Sequence, residues 1–144
     1  MRMSLVRVST PIIAVTLLLA LTSCGSKVSE KDLAACQSVW DVTSRALSSA
    51  PKATYNDSAL DPTFDEKMDH FMALSKARSE IVGFAADVDS AELRLALMEF
   101  ALGTGEMAIE FLDNPRGRGT PGITKFNDTF KVVTELCKKS GWEN

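Results

Sequence analysis

The residues best equipped for chemistry lie together in "DEKMDHFM", residues 65–72. Asp65, Glu66 and Asp69 surround His70, the chain's one histidine, with Met68 and Met72 alongside. On a helix this set does not converge. Met68 and Met72 share a face at a spacing of four, but His70 is rotated about 200° from Met68. Glu66 and His70 do share a face, yet the di-iron carboxylate bundles place their histidine three residues after the glutamate, not four. Core methionines beside a polar face account for the segment, and no metal ligand set is expected. Catalysis is not expected either. His70 has no evident nucleophile to serve, Glu99, Glu106 and Glu110 fit one exposed helix face, and no acid is set opposite a base.

The stretch "GTGEMA", residues 103–108, has the glycine spacing of a dinucleotide-binding turn. That chemistry needs a strand before it and a helix starting at it, so that the helix N-terminus meets the pyrophosphate. Here it lies inside a helical pattern. Two interior glycines cost about 1 kcal/mol each in helix propensity, so they mark close helix contact or a kink. No cofactor is expected.

Three cysteines remain, Cys24, Cys36 and Cys137. The first closes a distinctive N-terminus. Residues 1–10 carry Arg2 and Arg7 and no acid, residues 11–21 ("PIIAVTLLLAL") are apolar apart from Thr16, and small residues follow. A basic region, a short apolar run and a small-residue exit describe a secretory signal peptide. As a helix the apolar run covers only about 17 Å, short of a bilayer core of about 30 Å. Leu21-Thr22-Ser23-Cys24 resembles a bacterial lipobox: an aliphatic residue, two small ones, then cysteine. The resemblance implies cleavage between Ser23 and Cys24 and diacylglycerol on the Cys24 sulfur. Two or three acyl chains give stable anchoring where one is marginal. With Cys24 lipidated, Cys36 and Cys137 remain as a pair, which suits an oxidising extracytoplasmic space.

Residues 1–23 are therefore expected to leave, residues 24–28 ("CGSKV") to tether, and residues 29–144 to form one domain with a real core. The whole chain carries 16 basic and 19 acidic residues. Losing Arg2 and Arg7 makes the remainder more acidic still. That balance argues against nucleic acid and against electrostatic adhesion to anionic lipid. Membrane attachment then falls to the lipid on Cys24.

The elements that position these residues read as helix almost throughout. Ser29 with Asp32 offers a capping-box variant for the first helix, whose stripe is Leu33, Cys36, Trp40 and Leu47 up to Pro51. The second opens in "DPTFDE", capped by Asp61 or by a Thr63–Glu66 box, with Phe64, Met68, Phe71, Leu74, Ile81, Phe84 and Val88 as its stripe. Asp89 and Glu92 open the third, with Leu93, Leu97, Phe100, Met107 and Phe111 on one face. Thr120-Pro121 starts the fourth, where Ile123, Phe126, Phe130, Val133 and Cys137 step by three and four until Gly141. No segment alternates with period two.

The expected fold is all-α, an antiparallel up-down-up-down four-helix bundle. In it Cys36, near the start of helix one, and Cys137, near the end of helix four, fall at similar heights. The five-residue tether spans at most about 17 Å, so the "DVDSAE" turn faces the membrane. The long connections 48–62 and 113–122 form the distal tip. Their Tyr55, Arg116 and Arg118 are the expected partner contacts, as aromatic and arginine side chains are favoured interface anchors. The function implied is a membrane-anchored, non-enzymatic interaction module that meets another envelope protein or an incoming one. In size and anchoring it resembles accessory subunits of envelope complexes and the surface lipoproteins by which phages exclude competitors. The alternative is a lipid-tethered carrier of a small apolar ligand, with the mid-helix glycines opening a cavity beside Phe100 and Met107.

Overall fold

The computed structural model describes residues 29–51, 61–115 and 119–143. They form four helices, α1 (Glu30–Ser48), α2 (Phe64–Asp87), α3 (Ala91–Asp113) and α4 (Pro121–Lys139), and no strand is present among the described residues. Consecutive helices pack on one another, and α1 touches α4 more sparsely. The chain is the expected antiparallel bundle. No helix of the described residues is long and apolar enough to cross a membrane.

Local chemistry sets the helix ends. At α2 it is Thr63 that caps, not Asp61. The Thr63 hydroxyl accepts the Glu66 N–H at 3.3 Å while the Glu66 carboxylate accepts the Thr63 N–H at 2.8 Å. These bonds satisfy two N–H groups at the helix start, and the Thr63 N–H, with the Thr63 hydroxyl also donating to the carboxylate, holds the Glu66 carboxyl below its ordinary range. Thr120 caps α4, with Pro121 at the first helical position. Gly141 ends it at a φ of 84°, and the Trp142 N–H reaches back to the Cys137 carbonyl at 3.0 Å.

The core is centred on α3. Leu97 and Phe100 are wholly buried, as is Ile81 of α2. From Phe100 a run of rings crosses the bundle: Phe126 at 5.1 Å, Phe130 at 5.2 Å, then Trp40 on α1, stacked 5.8 Å from Phe130. Each such pair adds about 0.5–1.5 kcal/mol beyond its area burial. Cys36 and Cys137 are bonded, their Cα atoms 5.7 Å apart across a sequence separation of 101. A loop of that length is worth about 4–5 kcal/mol in the chain-entropy account. Trp142 completes this end, its indole N–H on the Gln37 side-chain oxygen at 3.3 Å.

Three expectations need correction. Asp89 does not open α3; Ser90 caps it, accepting the Leu93 N–H at 3.2 Å. Ser29 caps α1, its hydroxyl accepting the Asp32 N–H at 3.4 Å, but the Asp32 carboxylate does not return to it and accepts the Asp89 and Ser90 N–H groups instead. The N–H groups at a helix start need acceptors, and those of Asp89 and Ser90 lie within hydrogen-bond reach of the Asp32 carboxylate. In α2 the buried face is rotated from the expected stripe. Phe64 is exposed and His70 is buried, beside Leu74, Ala77, Ile81 and Ala85.

Candidate partner-binding surface

Helix α3 has a second apolar face. Leu93, Leu97, Phe100, Met107 and Phe111 point inward and are buried as expected. On the outward side Leu95 is 69%, Met98 42%, Leu102 46% and Ile109 61% exposed. With Ala91 and Gly105 these residues step 4, 3, 4, 3, 4 along the chain. That alternation is the heptad spacing of a helix-pairing seam, and over 91–109 it runs about 27 Å. Four large apolar side chains aligned on one helix are what a soluble surface normally avoids.

The seam has a charged rim on each side, of opposite sign. Toward α4 lie Glu92, Glu99 and Glu106, one heptad apart, and Glu106 pairs with Lys125 of α4. Toward α2 lies Arg94, whose guanidinium donates to the Val88 carbonyl at 2.7 Å. Arg78 of α2 follows on that side, its side chain lying over Gly105, where an added Cβ would come within 3.0 Å of the Arg78 Cδ. Glu99 and Arg78 make no ion pair with any described residue. The periodicity is legible in the sequence as a second stripe on α3, but the inward stripe alone accounts for the helix, so the spacing does not say that the outer one stays uncovered.

Gly103 marks close helix contact rather than a cavity. A Cβ there would meet the Thr129 hydroxyl at 3.1 Å and the Phe126 backbone at 3.2 Å. The expected opening beside Phe100 is therefore filled by α4. A cleft of about 700 Å³ does open between α1 and α4, lined by Trp40, Phe130, Trp142 and Lys138.

His70 lies at the end of the bundle where α1 and α3 finish. Its Nδ1 is 2.9 Å from the Ser49 hydroxyl, which donates to the Ala46 carbonyl at 2.6 Å, and its ring meets Phe111 edge-on at 4.5 Å. Burial pushes its pKa down to about 4, against the Ala46 carbonyl, which raises it. The imidazole is neutral at pH 7 and structural in its contacts. Met68 and Met72 stay on the α2 surface side, and among the described residues no three His, Cys, Asp or Glu side chains gather as a metal site would require. Cys24, Tyr55, Arg116 and Arg118 lie outside the described residues.

Comparison with protein families, with curated proteins and with solved structures finds no match to this chain.

Proposed function

We propose that this chain is a lipid-anchored, non-enzymatic docking module of a bacterial cell envelope, and that the outward face of α3 is its docking surface. The observation that carries the reading is the apolar seam of Leu95, Met98, Leu102 and Ile109 on a helix whose other face already fills the core. A stable bundle needs one apolar face per helix; a second is left for a partner. The lipobox at Leu21–Cys24 supplies the anchor, and the short tether keeps the module beside its membrane. The tip residues Tyr55, Arg116 and Arg118 stand as a second contact.

The test has two arms. The intact mass of membrane-extracted protein should show a chain starting at Cys24 with two or three acyl groups, and Cys24→Ala should abolish both the added mass and membrane retention. The Leu102→Glu variant should fold normally yet lose its crosslinked neighbours in the membrane. An unmodified chain would remove the anchor, and unchanged neighbours would remove the docking face.

A carrier of a small apolar ligand is the second reading, favoured by the aromatic walls of the α1–α4 cleft. Binding there should perturb the fluorescence of Trp40 and Trp142, whereas docking on α3 should leave it unchanged.

A further inference from the structure

We propose that the occupant of the α3 seam is a second copy of this chain, with the two α3 helices parallel and in register about a two-fold axis along the bundle. The inference rests on the docking role assigned to α3 above and names the partner. Ala91, Leu95, Met98, Leu102, Gly105 and Ile109 take the a and d places of a heptad, which defines what flanks them. Glu92, Glu99 and Glu106 then occupy successive e places, and Arg94 the first g place. The next two g places are Ala101 and Ala108, both buried inside the bundle. Arg78 of α2, lying over Gly105, brings positive charge to that same rim.

This charge order selects the direction of pairing. In a parallel pair each g residue faces the e residue five positions on in the other helix, so Arg94 meets Glu99 of the second copy, twice by symmetry. Arg78, level with Gly105, meets the second copy's Glu106 rim. In an antiparallel pair like flanks meet, and Glu99 would face Glu106 of the other copy. Like charges so juxtaposed oppose that arrangement. Glu99 and Arg78, which have no ion pair with any described residue, both find one only in the parallel pair.

Anchoring requires the same direction independently. Two copies held by lipid in one leaflet share an up direction, so equivalent helices standing on that membrane run parallel. A seam of about 27 Å is short for a free coiled coil. Confinement to a membrane raises the effective concentration of each copy for the other, so a weak contact suffices.

The test is disulfide or short-linker crosslinking of the full chain carrying Leu95→Cys, Leu102→Cys or Ile109→Cys, done in whichever cell fraction holds the protein. The parallel pair crosslinks at all three positions, each to itself. An antiparallel pair sets each a place against a d place, so it joins Leu102→Cys to Met98→Cys only when the two variants are mixed, and Leu95→Cys and Ile109→Cys do not crosslink to themselves. Either that pattern, or crosslinks only to a different polypeptide, or none, overturns the proposal. Glu99→Arg should lower the Leu95→Cys yield about tenfold, since two symmetry-related attractions become repulsions, and adding Arg94→Glu should restore it. Thermal melts of each variant separate lost pairing from lost folding. A membrane-bound chain without self-crosslinks ends this inference and leaves the anchored docking module standing. A chain absent from the membrane ends that reading, and the crosslink pattern in solution still decides the pairing.

Discussion

Asp32 and Asp89 sit side by side at the start of the bundle and serve each other's helix ends. The Asp32 carboxylate accepts the Asp89 N–H at 2.9 Å and the Ser90 N–H at 3.3 Å. The Asp89 carboxylate in turn takes the Ser29 hydroxyl at 2.7 Å and the Lys31 ammonium at 3.2 Å. Those two bonds, that from Ser29 foremost, hold the Asp89 carboxyl below its ordinary range. Two acids can lie together because each is pointed at the other's donors. The result ties the start of α1 to the α2–α3 turn, at one end of the bundle.

The two acids should differ in energetic weight. Asp32 is buried, and Asp32→Ala leaves the Asp89 and Ser90 N–H groups without a partner. A loss of about 2–3 kcal/mol in denaturant unfolding is expected. Asp89→Ala removes only solvent-exposed bonds and should cost clearly less than Asp32→Ala. Equal effects would mean that these half-buried N–H groups find water instead.

Most of the fold was legible because helix signals are local. The Thr120-Pro121 start, the Gly141 stop and the inward stripe of α3 depend only on residues within a turn or two of each other. What escaped depends on neighbours distant in sequence. Nothing within helical reach of Asp32 says that it will cap a turn 57 residues away. His70 likewise reads as polar surface until α1 supplies Ser49 and α3 supplies Phe111 to cover it. The α3 seam is a different case. Its spacing is local, but only the packed bundle shows which of two apolar stripes remains uncovered.

Two helix glycines give opposite expectations for one substitution. At Gly103 an added methyl presses on the Phe126 backbone at 3.2 Å, which can give only if α4 moves. Gly103→Ala should therefore destabilise by about 1–3 kcal/mol, overcoming the gain in helix propensity of about 1 kcal/mol. Gly83, exposed in α2, has nothing within 4 Å of its would-be Cβ. Gly83→Ala should stabilise by about 0.5–1 kcal/mol. Thermal melts of the two single variants make the comparison, and a stabilised Gly103→Ala protein would show that α3 and α4 are not held at this approach.

His70 should make the bundle acid-sensitive in a defined window. Its folded pKa of about 4 lies below its ordinary 6.5, so between these values the unfolded chain binds the proton more tightly. Stability from the neutral ring is therefore complete above about pH 6.5, falls as pH drops, and is lost by about pH 4. The full loss approaches about 3 kcal/mol at 1.36 kcal/mol per pKa unit. His70→Gln keeps a polar group beside Ser49 but removes the titration, so its stability should be nearly flat over the same window. The lowered carboxyls of Glu66 and Asp89 act with the same sign at more acid pH, and they are common to both proteins. The difference between the two denaturation curves thus isolates the imidazole. Parallel curves from pH 7 to 4 would mean that the buried ring takes up its proton as readily as in the unfolded chain, with Ser49 and the Ala46 carbonyl offsetting the cost of burial.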